Sequence, residues 1–195
     1  MKTNKVVREF EEAGALLKGH FILSSGLHSD TYLNKSIVSM HPDRAERLCR
    51  ALAKKARKTF GDKIDYVVSP AMGAIIYGYE TARHLGVPFM FVERVDGVFQ
   101  FRRGFKVGAG DRVLVVEDII STGLSAREAI EAVAKTGATV VGLACLIDRS
   151  GGKAEVGAPM TALAELSVDA WPADALPERL KSIPAIKPGS RGVSQ

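Results

Sequence analysis

One stretch of the chain, residues 113–125, constrains its fold more than any other. It begins with four apolar β-formers, Val113 to Val116, continues into two adjacent carboxylates, Glu117 and Asp118, and ends in a short turn. Apolar residues then recur at helical spacing, so a helix is expected to begin directly after the turn. A buried strand, a turn and a helix in this order are typical of an α/β sheet that binds ligands at the carboxyl ends of its strands.

The turn at residues 119–125 predicts a phosphate site. It contains three hydroxyl side chains and a glycine, and backbone N–H groups and hydroxyls at a helix N-terminus bind phosphate well. The turn is not a P-loop, because no Gly-Lys-Ser/Thr sequence follows it. The alternative is a buried strand followed by an ordinary capped helix. It would explain the apolar run but not why two acids and three hydroxyl side chains lie so close together in the segment that follows. The pattern therefore favours a phosphorylated sugar, whose hydroxyls the two carboxylates would bind.

The size and composition of the chain indicate one globular domain. It has 195 residues, of which 46% are hydrophobic and 25% charged, which is ordinary for a soluble protein. No segment approaches the roughly 18 consecutive apolar residues of a membrane span, and the N-terminus lacks the apolar core of a signal peptide. We therefore expect a cytoplasmic protein without a membrane partner. Cys49 and Cys145 are the only cysteines and are expected in the core, in a reducing compartment.

Strand and helix patterns alternate along most of the chain, which predicts an α/β fold with a doubly wound parallel sheet. The expected helices are 3–14, 42–60, 74–85 and 125–136, and the expected strands are 66–69, 87–92, 113–116, 139–147 and 160–168.

Three segments fall outside this alternation within the single expected domain, residues 1–195. Residues 20–35 read as a strand–turn–strand element outside the main sheet, part of a small N-terminal hood formed by about residues 1–40. Residues 93–110 read as a long, mobile, hairpin-like excursion. A proline-rich, basic tail covers about residues 172–195, and its last eight residues are expected to be disordered.

The run at residues 113–125 resembles the motif of type I phosphoribosyltransferases that binds 5-phosphoribosyl-1-pyrophosphate (PRPP). Three further segments resemble orotate phosphoribosyltransferases, in that family's order. Residues 19–32 resemble its base-capping element, residues 69–76 the turn that faces pyrophosphate, and residues 146–152 a strand end whose Asp-Arg pair binds orotate. The resemblance implies the type I fold with a base-capping hood. It also implies transfer of the phosphoribosyl group from PRPP to orotate in pyrimidine biosynthesis.

The resemblance also implies roles for individual residues. Glu117 and Asp118 would anchor the ribose hydroxyls and stabilise positive charge that develops on the ribose. Arg149 would hold the orotate carboxylate through a bidentate fork, assisted by Ser121 and by the Ser25–Gly26 backbone. Magnesium would be bound mainly by PRPP and water, without direct protein ligands. The residues expected to contact PRPP are Arg94, Glu117, Asp118, Ile119, Ile120, Ser121, Thr122, Gly123, Leu124 and Ser125.

The chain departs from the family where pyrophosphate is bound. The family's mobile loop is rich in lysine and histidine, but the corresponding residues 94–106 lack these at the usual places, although Arg94 matches the loop's first arginine. The lysine of the family's pyrophosphate turn is replaced by Met72-Gly73. We expect Arg102 and Arg103, ahead of Lys106, to supply compensating charge from a different loop geometry. Because this loop reaches the neighbouring subunit's site in the family, the resemblance implies a homodimer.

Two other functions fit parts of the sequence. The first is a phosphoribosyltransferase for another base, such as a purine, or a salvage enzyme; Arg149 argues against it, because a purine carries no carboxylate. The second is a non-catalytic regulator that senses PRPP and binds nucleic acid. The missing loop cations and the net charge of +5 motivate the second reading. No DNA-reading module is visible in the sequence, so no nucleic-acid partner is expected.

Overall fold

A computed structural model describes residues 1–23 and 25–188 of the protein. These residues form six helices and eight strands. The helices are α1 (Thr3–Glu12), α2 (Lys35–Ser39), α3 (Pro42–Phe60), α4 (Ile75–Leu85), α5 (Leu124–Ala134) and α6 (Glu178–Lys181). The strands are β1 (Leu16–Ile22), β2 (His28–Leu33), β3 (Tyr66–Pro70), β4 (Phe89–Val95), β5 (Val98–Phe101), β6 (Arg112–Ile120), β7 (Thr139–Asp148) and β8 (Met160–Glu165).

The main sheet has six strands in the order β5-β4-β3-β6-β7-β8. The pairs from β4 to β8 are parallel, and β5 is an antiparallel strand at one edge. Two apolar clusters cover the two faces of the sheet, one with α1, α3 and α4 and the other with α5. The predicted doubly wound sheet is therefore confirmed, with one antiparallel strand added. Within the described residues, no helix is both long and apolar enough to cross a membrane.

Strand β6 lies inside the sheet because its apolar run is buried on both faces. Leu114 and Val116 belong to the cluster beneath α3 and α4, whereas Val113 and Val115 belong to the cluster beneath α5. Side chains alternate between the two faces of a strand, so a strand that is apolar at every position needs cover on both sides. Strand β6 pairs with β3 on one side and with β7 on the other, so its carboxyl end lies between theirs.

Helix α1 packs on the main domain, on the same face as α3. Its Val6 and Phe10 side chains are fully buried in that cluster. Glu9 accepts hydrogen bonds from Arg44 (2.8 Å) and Arg47 (2.8 and 2.9 Å) of α3. These hydrogen bonds and charges lower the pKa of Glu9. The element outside the main sheet is thus smaller than residues 1–40 and consists of the antiparallel pair β1–β2, which we call the hood sheet.

Residues that follow the last main strand complete the hood sheet. Trp171 exchanges backbone hydrogen bonds with His28 (2.7 and 2.8 Å), and Ile186 with Ile22 and His20 (both 2.8 Å). Leu180 of α6 is buried. The tail therefore holds the hood sheet through residue 186. The disorder expected for the last eight residues falls almost wholly on residues 189–195, which lie outside the described part of the chain.

The excursion after β4 begins as a tight hairpin. Asp96 and Gly97 both have positive φ, 50° and 83°, as a two-residue type I′ turn requires. An Asp-Gly pair is the usual sequence signal for this turn.

Helix α2 was not predicted from the sequence. It is only five residues long and follows the hood sheet directly.

Candidate active site

The candidate site lies at the carboxyl ends of β3, β6 and β7, where the segments that follow these three strands come together. Ile120 of β6 is in register with Asp148 of β7, and Arg149 N–H donates to the Ile120 carbonyl oxygen at 2.8 Å. Ser121 is therefore opposite Arg149. The turn that follows β3 contributes Gly73, at which an added Cβ would lie 2.5 Å from Asp118 Oδ2. Parallel register thus brings together three segments that are far apart in the sequence.

The two acids of β6 are buried, with 7% of Glu117 and 1% of Asp118 exposed. Burial, followed by the charge of Asp118, raises the pKa of Glu117 well above its usual value. Asp118 Oδ1 accepts a hydrogen bond from its neighbour, Ile119 N–H, at 2.5 Å. Glu117 thus holds a proton more readily than an exposed glutamate does.

Lys35, the first residue of α2, forms an ion pair with Asp118. Burial acts to lower the pKa of Lys35, but the combined attraction of Asp118 and Glu117 outweighs it and raises the pKa. Tyr77 of α4 donates its phenolic hydrogen bond to the Lys35 carbonyl oxygen at 2.7 Å, which fixes the start of α2. Lys35 was not predicted as a site residue from the sequence. Its only signal there is a lysine two residues after the end of the hood strand β2.

The predicted phosphate turn leads into α5 as expected. Gly123 is the N-cap of α5 with φ +78°, and an added Cβ would lie 2.9 Å from the Val156 side chain. Thr122 Oγ1 accepts a hydrogen bond from Leu124 N–H at 3.3 Å. The Ser121, Thr122 and Ser125 side chains are exposed. A loop of this form presents hydroxyls and N–H groups at a helix N-terminus, the arrangement that binds phosphate.

Arg149 projects from the end of β7 with an uncommitted guanidinium nitrogen. Its Nε is buried and has no hydrogen-bond partner among the described residues. Burial lowers the pKa of Arg149, and the nearby Tyr32 phenol of β2 opposes this shift. Asp148 shapes the loop behind it, accepting hydrogen bonds from Ser150 N–H (2.7 Å) and Gly152 N–H (3.2 Å).

The turn of the hood sheet has most of its own groups engaged. Gly26 has φ +83°, and its N–H donates to the Leu23 carbonyl oxygen at 2.9 Å. Ser25 Oγ accepts a long hydrogen bond, 3.4 Å, from Leu27 N–H. The Gly26 N–H is therefore committed within the turn, although orotate binding by Ser25 and Gly26 stays a prediction. Ser24, between them and β1, lies outside the described residues.

The two loop arginines are paired with carboxylates of their own chain. Arg94 forms an ion pair with Glu128 of α5, and its guanidinium lies 4.1 Å from the Phe99 ring centre. Arg103 donates two hydrogen bonds to Glu93, at 2.7 and 3.0 Å. Within the described residues neither arginine has an ion pair with Glu117 or Asp118. Their catalytic roles stay predictions, and each role would require exchange of a carboxylate partner for substrate.

No group of three or more metal-binding His, Cys, Asp or Glu side chains occurs in residues 1–23 and 25–188. The oxygen donors nearest the predicted sugar site are the carboxylates of Glu117 and Asp118. Hard cations such as Mg²⁺ prefer oxygen ligands, so this donor set fits an ion that enters with its substrate. Cys49 and Cys145 are both free and buried, as expected.

Comparison with known proteins identifies first the general class of enzyme and then the family to which this chain belongs. Residues 40–180 match the family described as phosphoribosyl transferase domain. The solved structure of orotate phosphoribosyltransferase from Aeropyrum pernix superposes with a TM-score of 0.68 at 23% identity, over 82% of this chain and 93% of that one. Adenine phosphoribosyltransferase from Saccharomyces cerevisiae gives a TM-score of 0.65 at 23% identity, over 82% and 99%. Fold and site thus define a type I phosphoribosyltransferase, but the fold alone does not distinguish between the bases.

Sequence similarity identifies the family within this class of enzymes. Orotate phosphoribosyltransferase of Maricaulis maris (strain MCS10) is 58% identical over 194 residues, which is 100% of both chains. That of Caulobacter vibrioides (strain NA1000 / CB15N) is 58% identical over 191 residues, 98% of both chains. The protein belongs to the orotate phosphoribosyltransferase family.

Proposed function

We propose that this protein catalyses the reaction of its family, orotate + PRPP → orotidine 5′-monophosphate + pyrophosphate, a pentosyl transfer in pyrimidine biosynthesis. The bond between ribose C1 and pyrophosphate breaks, and its electron pair leaves with pyrophosphate. Orotate N1 forms the new bond to C1, and the N1 proton passes to solvent. The observation that supports orotate as the base is the buried Nε of Arg149, which has no hydrogen-bond partner in residues 1–23 and 25–188.

An unpartnered buried nitrogen is costly unless a ligand satisfies it. A buried donor without an acceptor loses about 1–3 kcal/mol, and a guanidinium fork matches a carboxylate in shape and charge. Orotate carries such a carboxylate, whereas uracil is the same ring without one. Ser121 follows Ile120, whose carbonyl oxygen accepts a hydrogen bond from Arg149 N–H at 2.8 Å, and it is proposed to donate a further hydrogen bond to the base.

The acids of β6 act on the ribose. Positive charge develops on C1 as pyrophosphate departs, and the buried Asp118 carboxylate stabilises such charge more strongly than an exposed one would, since water screens it less. Asp118 and Glu117 also accept hydrogen bonds from the ribose 2′- and 3′-hydroxyls. The turn at residues 121–125 holds the 5′-phosphate, which fixes C1 between these acids and the base.

Magnesium is proposed to bind with PRPP, through pyrophosphate and ribose oxygens and water. When bound, the ion would offset negative charge on the pyrophosphate. Glu117 and Asp118 are the protein oxygens that would face it through water, since Mg²⁺ usually keeps several water ligands.

Orotate turnover by the purified protein tests this function. Mixed with PRPP and Mg²⁺, the protein should consume orotate, which is followed by the loss of its ultraviolet absorbance. Uracil should react at least about a hundredfold more slowly, because it leaves Arg149 unpaired, and chelation of Mg²⁺ should suppress turnover. Equal use of uracil, or use of adenine in place of orotate, would contradict the assignment of the base.

We further propose that the protein is a homodimer. Around α4, large apolar side chains are exposed: Met72 (83%) in the turn before the helix, and Ile76 (48%) and Tyr79 (61%) within it. They adjoin a groove of about 360 Å³ lined in part by Pro42, Ala45 and Ile75. Contiguous exposed apolar surface of this kind marks protein interfaces, and Met72 belongs to the turn after β3, so a partner here would adjoin the site.

A charged residue in this apolar surface should separate the subunits. Ile76→Glu is expected to elute as a monomer in size-exclusion chromatography with light scattering, while the wild-type protein elutes as a dimer. Ile183→Glu is the matched control, because Ile183 is exposed on the tail, and it should stay dimeric. A monomeric wild-type protein, or a dimeric Ile76→Glu variant, would refute this interface.

We also propose that the protein is located in the cytoplasm. Cys49 and Cys145 are free, buried thiols, which agrees with a reducing compartment.

A further inference from the structure

The turn that follows β3, residues 71–73, carries no charged side chain of its own, yet a cation lies against it. An added Cβ on Gly73 would lie 2.8 Å from Lys35 Nζ and 3.0 Å from Lys35 Cε. The Lys35 ammonium therefore occupies the space between this turn and Asp118, with which it forms an ion pair. A side chain at residue 73 would displace the ammonium, so the glycine and the lysine fit one another.

We propose that Lys35 is a further catalytic residue, whose ammonium contacts the pyrophosphate of PRPP and stabilises it as it leaves. The proposal deepens the proposed function, on which it rests. In the transfer step, the electron pair of the C1–O bond passes to pyrophosphate, and the protonated ammonium offsets the added negative charge. No proton leaves Lys35, so the step balances without a further reactant.

The geometry of Lys35 supports direct contact with a ligand. An ammonium has three donors, and the ion pair with Asp118 uses one side of it. The Lys35 side chain is 39% exposed, whereas that of Asp118 is 2% exposed, so a ligand in solvent can reach the lysine more readily than the acid. The raised pKa of Lys35 keeps the ammonium charged at neutral pH.

The position of Lys35 is fixed by the fold. Its carbonyl oxygen accepts the hydrogen bond of the buried Tyr77, and Asn34 N–H before it donates to the Ala15 carbonyl oxygen at 2.7 Å. These two hydrogen bonds fix the backbone before and after the peptide bond that joins Asn34 to Lys35. A cation held in this way needs little reorganisation as charge develops, the condition under which electrostatic stabilisation is most effective.

A purely structural lysine would only hold Asp118 in place, and ligand binding can distinguish the two roles. Magnesium pyrophosphate and ribose 5-phosphate are titrated separately into the wild-type protein, Lys35→Gln, Lys35→Arg and Lys54→Gln by calorimetry. Lys54, exposed on α3, is the matched control. Ribose 5-phosphate reports on the acids and the phosphate turn, and pyrophosphate reports on the space beside residues 71–73.

Lys35→Gln is expected to weaken pyrophosphate binding about ten- to hundredfold, the usual effect of losing a charge-assisted contact, and ribose 5-phosphate binding less than threefold. Lys35→Arg should restore most of the pyrophosphate affinity, and Lys54→Gln should match the wild-type protein. Equal weakening of both ligands, unchanged pyrophosphate binding, or no binding of pyrophosphate to the wild-type protein would overturn the proposal. Orotate takes no part in these titrations, so their result is separate from that of the turnover assay.

Discussion

Arg149→Met is expected to lower kcat/KM for orotate by at least about a hundredfold and to leave the Kd for PRPP within about threefold of the wild-type value. The variant keeps an apolar side chain of similar length but cannot pair with a carboxylate. Leaving the buried carboxylate of orotate without its charged partner costs about 2–5 kcal/mol of binding free energy. This cost exceeds the loss expected from removing any single hydroxyl group of the site. Steady-state kinetics with varied orotate, together with PRPP calorimetry, measure both values.

Two controls distinguish recognition of the carboxylate from a general disturbance. Arg112→Met removes an arginine at the opposite end of the sheet, where Arg112 donates to the Lys63 carbonyl oxygen at 2.8 Å, and it should retain wild-type turnover. Uracil should lose much less activity than orotate in Arg149→Met, so that discrimination between the two bases largely disappears. A variant that still prefers orotate about a hundredfold would show that another group reads the carboxylate.

The double substitution Glu117→Gln, Asp118→Asn is expected to lower kcat by about a thousandfold. Each amide keeps the shape of the acid. Asp118→Asn removes the negative charge that is proposed to face C1 in the transition state, and Glu117→Gln replaces a carboxyl group whose pKa is raised by burial. Losing one preorganised electrostatic contact commonly costs about a hundred- to thousandfold in kcat. Single-turnover kinetics with enzyme in excess over PRPP measure the chemical step and exclude product release as the cause.

The same substitutions should leave orotate recognition intact, because Arg149 and Ser121 belong to other segments. Asp111→Asn is the matched control, since Asp111 accepts a hydrogen bond from Gly108 N–H at 2.8 Å just before β6, at the far end from the site. If the double variant kept more than about a tenth of the wild-type kcat, the acids would act mainly in binding, and KM for PRPP would carry the effect instead.

The predicted roles of the loop arginines have a different status from those of the acids. Arg94 was expected to bind PRPP because it matches the family's first loop arginine, and Arg103 was expected to supply charge because the chain lacks the family's loop lysines and histidine. In the structure both are paired with glutamates of neighbouring elements, Arg94 with Glu128 and Arg103 with Glu93. Neither partner stands at a helical or strand-pair spacing that a local pattern could have indicated.

The sequence by itself determined the parallel strands of the main sheet, the turn after β6, and the two acids and Arg149 at one end of that sheet. It could do so because these features depend on local patterns: an apolar run buried on both faces, a turn rich in hydroxyls, and side chains placed directly after strands. Parallel strands bring their carboxyl ends to one edge, so residues 117–125 and Arg149 had to meet once the sheet formed.

Only the tertiary structure decided which cation faces the acids and what completes the hood sheet. Lys35 pairs with Asp118, which lies far along the chain, and Ile186 bonds to Ile22 across a still longer separation. Such contacts arise when separately formed elements pack together, and they leave no periodic signal in either segment. Burial, which sets the charge state of Glu117 and leaves the Arg149 Nε without a partner among the described residues, is likewise a property of the assembled fold.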